Sequence, residues 1–386
     1  MCDVPALRFP EFTGEWERHK LSEVCSFYSG GTPSSSKKEY YNGNIPFIRS
    51  GELHKDYTEL FITEAGLSNS AAKLVETGDL LLALYGATSG DIAISKIKGA
   101  INQAILCIRT KQNKKFIESV WNKHVERLLQ TYLQGGQGNL SADIVKNIPF
   151  YFANSNEQDK LAKFISLLDE RIATQNKIIE KLETLIKGIV DSIFTANKFP
   201  KVPFKEIYVR AGEGGTPATS NPEYYVNGTI PFIKIDDLQN KYIKTNKDCI
   251  TELGLQKSSA WIVPANSIIY SNGATIGAIS INLFPVCTKQ GILGVVPKAD
   301  INVEFLYYFM SSTAFTKAVE RIVTEGTMRT AYLKDINHIP CPVPCSVKQD
   351  EIAKLLSTLS EKLENEVIFQ MKLQKQKEFL LSQMFI

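Results

Sequence analysis

Between Leu161 and Ile193 the apolar residues fall at Leu161, Ile165, Leu168, Ile172, Ile179, Leu182, Ile186, Ile189 and Ile193, and one polar residue, Gln175, holds the remaining place in the series. Steps that alternate between four and three are the period of a helix burying one narrow seam against another helix. A weaker stripe in the same register follows 191 residues later, at Ile352, Leu356, Leu359, Leu363, Glu366, Gln370, Leu373, Lys377, Leu380 and Met384. No proline interrupts either stretch, and Ser155 with Gln158, like Ser346 with Gln349, predicts a capping box at each start. At 1.5 Å per residue, Glu157 to Phe194 predicts a rod of about 57 Å. Outside these stretches the period shortens. Ile45–Ile48, Leu80–Leu84, Ile92–Ile94 and Ile101–Ile108 are short apolar runs broken by Gly, Pro and Asn, and so are Ile230–Ile235, Ser267–Tyr270, Ala278–Ile281 and Gly291–Val296. These predict strands and turns. A helix is predicted after each set, at Phe116–Leu133 and at Val303–Thr324.

The chain contains itself twice. Gly30-Gly31-Thr32-Pro33 returns as Gly214-Gly215-Thr216-Pro217, Glu39-Tyr40-Tyr41 as Glu223-Tyr224-Tyr225, and Ile45-Pro46-Phe47-Ile48 as Ile230-Pro231-Phe232-Ile233. Gly86-Ala87-Thr88 and Gly90 match Gly273-Ala274-Thr275 and Gly277, Gln103 matches Gln290, and Gln158-Asp159 matches Gln349-Asp350. Their offset drifts only from 184 to 191 residues, as loop insertions make it do. A fixed repeat of this length is a tandem duplication. The glycines are expected to supply tight turns, and the tyrosine pairs to pack within each module.

Composition narrows the class without deciding it. The 386 residues suggest two or three domains, and 44% hydrophobic with 22% charged residues is ordinary for a globular protein. Forty-four Lys and Arg against 41 Asp and Glu leave +3, so any nucleic-acid surface rests on local clustering. Seven cysteines without a C-x-x-C pair predict reduced thiols, and Cys341 with Cys345 lacks a second ligand pair for a metal. With no signal peptide and no long apolar run visible, a cytoplasmic location is the expectation. No G-x-x-x-x-G-K-[ST] loop is present. Asn221-Pro222-Glu223-Tyr224 superficially resembles the Asn-Pro-Pro-Tyr of amino-methyltransferases, but no glycine-rich cofactor loop precedes it.

The ordered set of Gly-Gly-Thr-Pro, Glu-Tyr-Tyr, Ile-Pro-Phe-Ile, Gly-Ala-Thr and Ile-Pro, then a Gln-Asp-headed heptad helix ending in Ile193-Phe194, resembles the specificity subunit of type I restriction–modification enzymes. Leu7-Arg8-Phe9-Pro10 and Met384-Phe385 resemble members of that family too, and the likeness spans essentially the whole chain. Glu157-Gln158 keeps the family's helix opening, whereas Lys348-Gln349 has lost the acid.

The resemblance implies an α+β fold with two tandem mixed α/β target-recognition domains, at residues 1–154 and 197–345. Two long antiparallel coiled-coil helices, at 155–196 and 346–386, separate them with pseudo-two-fold symmetry. It also implies a non-catalytic reader of an asymmetric bipartite site on double-stranded DNA, whose helices set the spacer and dock modification subunits, two of them expected. S-adenosylmethionine would then sit on the modification subunit, ATP and Mg on a restriction subunit, and no cofactor on this chain. A structural adaptor with two protein-binding globules is the alternative. A self-sufficient methyltransferase or nuclease is disfavoured by the missing motifs.

Phosphate and base contacts need Lys, Arg, Asn, Gln, Ser or Thr on accessible loops. The candidates in the first copy are Ser34, Lys37, Lys38, Arg49, His54, Lys55, Thr88, Ser89, Gln103, Gln137 and Asn139, with Tyr41 as an aromatic possibility. In the second they are Thr219, Ser220, Lys234, Asp236, Asn272, Thr275, Gln290, Thr327, Arg329 and Thr330, with Tyr225. Positions where the copies differ carry the most information, because both modules need the shared residues to fold. For helix pairing the candidates are Leu161, Ile165, Leu168, Ile172, Gln175, Ile179 and Leu182 with Leu356, Leu359, Leu363, Glu366, Leu373 and Leu380, and Gln175 with Glu366 is expected to fix alignment.

Overall fold

The structure is a computed structural model that describes residues 4–133, 140–196, 199–273, 275–323 and 329–386. The chain divides into two compact units, residues 1–176 with 368–386 and residues 177–367. Each long helix therefore contributes to both units, and each unit is described by itself.

In the first unit an antiparallel sheet is built from β1 (Cys25–Ser29), β3 (Leu80–Ala83), β4 (Ile92–Ile94) and β6 (Ile105–Thr110), in the order β1-β6-β3-β4. A smaller sheet carries β2 (Tyr41–Ile48) beside β5 (Gly99–Ile101) in parallel, with Phe61–Ile62 and Lys73–Val75 on its flanks. Helix α1 (Lys114–Leu133) packs on β4 and brings Phe116, Ile117, Val120 and Trp121 into the core. That core is closed from two distant parts of the sequence. Leu161 and Ile165 enter from helix α2 (Ser155–Ala196), and Leu381, Met384 and Phe385 enter from the chain's last turns.

The second unit repeats the plan. Strands β7 (Tyr208–Glu213), β9 (Tyr242–Ile243), β10 (Ser267–Ser271), β11 (Ile279–Asn282) and β13 (Ile292–Pro297) form a sheet in the order β7-β13-β10-β11-β9. Strand β8 (Ile230–Ile233) pairs in parallel with β12 (Cys287–Thr288). The single helix expected over Val303–Thr324 is two helices, α3 (Val303–Met310) and α4 (Thr313–Glu320). Ser311 ends the first and Ser312 caps the second, the Ser312 hydroxyl accepting the Phe315 N–H, while Asp191 accepts from both the N–H and the hydroxyl of Thr313. Apolar periodicity runs through this break, so only the cap residues betray it. Val190 and Phe194 of α2 enter this core with Ile352, Ala353 and Leu356 of helix α5 (Ser346–Met384).

Early turns of α2 thus meet the last turns of α5 in one unit, and late turns of α2 meet the first turns of α5 in the other. The two helices run antiparallel within each unit. Along α2 the less exposed positions are Leu161, Ile165, Leu168, Ile172, Gln175, Ile179, Leu182, Ile186 and Ile189; along α5 they include Leu356, Leu359, Leu363, Glu366, Leu373, Lys377 and Leu380. Gln175 is buried, and the Glu366 carboxylate accepts from Lys362.

The helix starts are built differently from a capping box. Asn154, not Ser155, caps α2, its side chain accepting the Glu157 N–H at 3.0 Å. The Gln158 side chain donates to the Ala153 carbonyl and accepts the Asn113 N–H, and Asp159 takes the Asn113 amide at 2.7 Å. Gln349 and Asp350 do the same with the Pro344 carbonyl and Asn302. The repeated Gln-Asp pair is therefore a latch that ties the head of each long helix to the turn before α1 or α3. Glu157, 1% exposed, is held by a two-pronged bond from Arg8 at 2.7 Å. Its counterpart Lys348 pairs instead with Glu351 on the surface.

Charged groups add further ties. In the first unit Lys115 of α1 reaches Asp169 of α2 at 2.7 Å, and Lys377 of α5 bonds the same carboxylate. In the second, Lys241 bonds Glu304 of α3, and also Tyr308 and Ser357 at 2.9 Å each. Among the described residues, no helix is long and apolar enough to cross a membrane.

Candidate nucleic-acid interface

Register decides which loops meet. Ser29 stands opposite Leu106, Ala83 opposite Ile105, and Leu82 opposite Ile92. The ends of β1 and β3 and the starts of β4 and β6 therefore lie at one end of the sheet. The end of β2 joins them, because β2 runs parallel to β5, which leads through Asn102–Ala104 into β6. Backbone bonds knit the emerging loops together: Gly30 N–H to Asn102, Leu84 N–H to Ala104, and Leu140 N–H to Leu84. The second module gathers the same loops through Gly214 N–H to Ile292, Asn272 N–H to Gly291 and Ala331 N–H to Asn272.

The double glycine at this end serves close approach rather than a turn. A Cβ on Gly30 would lie 1.8 Å from the Ile101 carbonyl oxygen, and one on Gly214 equally close to that of Thr288. Left-handed backbone occurs instead at Gly86 (φ +77), Gly90 (φ +88) and Gly277 (φ +104). The tyrosine pairs also have structural duties, with the Tyr41 hydroxyl donating to Pro33 and the Tyr225 hydroxyl to Pro217.

Around this end of the first module lie Arg49, His54, Lys55, Thr88, Ser89 and Gln103. Arg49 is committed internally: its guanidinium bonds Glu52 at 2.8 and 3.2 Å and Glu59 at 3.0 Å. Burial pushes the Glu52 carboxyl up, but bonds from the Arg49 side chain and N–H and from Thr58 outweigh it and hold the group at about 2. His54 bonds Asp91 at 2.8 Å, which raises its pKa above the usual imidazole value. Lys55 lies over the exposed Tyr57 ring. Ser89 donates to Leu84, Thr88 belongs to the short turn Gly86–Thr88, and exposed Gln103 accepts from Thr32 at 2.8 Å. Ser34, bonded to Ser36, and Lys37 and Lys38 stand by the start of β2 rather than its end. Lys37 bonds the Tyr40 hydroxyl at 3.0 Å.

In the second module Lys234 pairs with Asp248 at 2.9 Å, while Asp236, Thr275, Gln290 and Arg329 are exposed. Thr330 is half-buried, and Thr219 and Ser220 are exposed ahead of β8. Asn272 is a correction. Expected on the surface, it is 0% exposed, its amide donating to Glu213 at 2.6 Å and to the Ala331 carbonyl at 3.0 Å. Glu213 is 59 residues away, so local sequence carries no sign of that bond. Gln137, Asn139 and Thr327 lie outside the described residues. One exposed group absent from the candidates above is Tyr85, at the head of the Gly86–Gly90 loop.

Two α/β modules, each completed by antiparallel stretches of two shared helices and each gathering loops at one end of its sheet, define the fold class. The fold is that of solved type I restriction–modification chains. One, from a structure on complex assembly and conformational transition of the type I R-M system, matches with a TM-score of 0.62 at 15% identity, covering 95% of this chain and 96% of that one. Another is the S subunit of a type I system from M. genitalium, with a TM-score of 0.58 at 16% identity and 99% of both chains covered.

The sequence profile of the type I restriction modification DNA specificity domain matches residues 13–184 and again residues 201–372, and the chain belongs to that family. Among its relatives is the MjaIX specificity subunit of Methanocaldococcus jannaschii, 24% identical over 399 residues, with 95% of this chain and 92% of the relative covered. The HindI specificity subunit of Haemophilus influenzae is 31% identical over 159 residues, covering 39% of this chain and 34% of the relative. Both relatives are named for specificity.

Proposed function

We propose that this chain is the DNA-reading component of a type I restriction–modification complex, and that the loop cluster of each module reads one half of an asymmetric, split site. The uninterrupted helices α2 and α5 set the unspecified spacer between the halves and offer the surface on which two methyltransferase subunits dock. S-adenosylmethionine belongs with those subunits, ATP and Mg with restriction subunits where these join, and adenine methylation is carried out by the partner rather than by this chain. One observation carries the reading. The modules spend their shared residues on the fold, as with the Gly30/Gly214 approach and the Gln158/Gln349 latch, while exposed groups at the same sheet end differ between them. Two unlike surfaces on one scaffold suit two unlike half-sites.

Phosphate contacts make such binding fall steeply with salt, whereas base contacts make it depend on sequence. With the methyltransferase subunit of the same system present, the chain is expected to bind one split duplex tightly and to lose that affinity progressively between about 50 and 200 mM salt. Altering either half should weaken binding, and altering the spacer bases at constant length should not. Equal affinity for all duplexes would contradict the proposal.

A further inference from the structure

Backbone bonds set the two loops in register: Leu84 N–H bonds Ala104 and its carbonyl accepts from Leu140, just as Asn272 N–H bonds Gly291 and its carbonyl accepts from Ala331. Asn272 therefore stands where the first module has Leu84, and the path from there to Gly277 is one residue shorter than the path to Gly90. Both of these side chains turn inward, Leu84 being 1% and Asn272 0% exposed; with Gly86-Ala87-Thr88 matched to Gly273-Ala274-Thr275, the residue that the second module lacks is Tyr85. Asn272 is drawn inward by Glu213 and the Ala331 carbonyl. Tyr85 stays outside, 36% exposed, beside Thr88 and Ser89.

The loop that presents it is stiff. Gly90 N–H bonds Ala83 at 2.9 Å, Asp91 N–H bonds Thr88 at 2.9 Å, and Ser89 donates to Leu84 at 3.0 Å. From below, the Trp121 indole N–H holds the Gly90 carbonyl at 2.7 Å, and a Cβ at Gly90 would run into Val125 and Leu129 of α1. Asp91 is further tied to His54. An aromatic ring on a preorganised loop has only two side-chain torsions to lose on binding, which makes it an economical contact group. Such a ring can lie against sugar and base edges or a thymine methyl.

We infer that Tyr85 is a specificity-determining residue of the first module, its ring contacting the first half-site directly, with no counterpart in the second module. The inference rests on the proposed reading of a split DNA site. It is tested with the full chain bound to its methyltransferase subunit, on duplexes carrying the site mapped from methylated genomic DNA. Tyr85→Ala should weaken binding about tenfold or more, in the range for a buried aromatic contact. It should also blunt discrimination against altered first-half bases, while discrimination at the second half stays as in the wild type. Tyr85→Phe, which keeps the ring, should retain most of both.

Unchanged binding by Tyr85→Ala, or a loss shared equally by unrelated duplexes, would overturn the assignment. A Tyr85→Phe variant as weak as Tyr85→Ala would show that the ring is not the contact. If wild-type complex shows no preference for the split duplex, the functional reading itself fails, whatever Tyr85 does.

Discussion

Individual side chains in this protein are divided between holding the modules together and remaining available. Arg49 and Lys234 occupy equivalent positions, and both are paired within their own module, to Glu52 and Glu59 and to Asp248. The Glu52 carboxyl, held at about 2 against an ordinary 4.5, stabilises the fold fully above about pH 4.5 and loses that contribution as pH falls towards 2. Glu52→Gln should therefore lower the melting temperature at pH 7, by an amount corresponding to roughly 1–3 kcal/mol. The gap to wild type should shrink between pH 4.5 and 2, and a gap independent of pH over that window would contradict the assignment. Arg8 and Glu157 illustrate the same economy in a buried setting. Because the carboxylate is 1% exposed, the acid at the head of α2 needs its cation, and the second copy, where Lys348 pairs on the surface, has no such need.

At the scale of elements the heptad pattern was the most legible part of the chain. A period-3.5 stripe demands a partner helix, and α2 and α5 supply it to one another within each unit. Cap chemistry was less legible, because Gln158 and Gln349 sit where a capping box would put them but bond the preceding carbonyl and the turn before the next helix instead. The break between α3 and α4 was hidden for a related reason. Phe305, Leu306, Phe309 and Phe315 keep the core face apolar across it, and only Ser311 and Ser312 mark the stop and the restart.

The long helices also carry a length prediction. Removing seven residues from each, in register, should shorten the rod by about 10 Å, equivalent to roughly three base pairs. Methylated sites in cells carrying that variant should keep both specified halves and contract the spacer between them. An unchanged spacer would contradict the role given to the helices.

For the whole molecule, duplication explains both what sequence reading reached and where it stopped. Two copies in one chain separate shared residues, which serve the fold, from divergent ones, which are free to differ in function. That comparison named His54, Lys55, Thr88, Ser89 and Gln103 as candidates without showing that the fold gathers them at one sheet end, took the buried Asn272 for a surface group and passed over Tyr85. Asn272 faces inward as its counterpart Leu84 does, and its partner there is Glu213, far away in sequence and adjacent only through the β7–β13–β10 register. The most direct test of two unlike heads on one scaffold is a methylation map of genomic DNA from cells expressing this chain with its methyltransferase subunit. The account predicts one non-palindromic motif of two specified blocks at a fixed separation. A palindromic or continuous motif, or methylation without a preferred sequence, would contradict it.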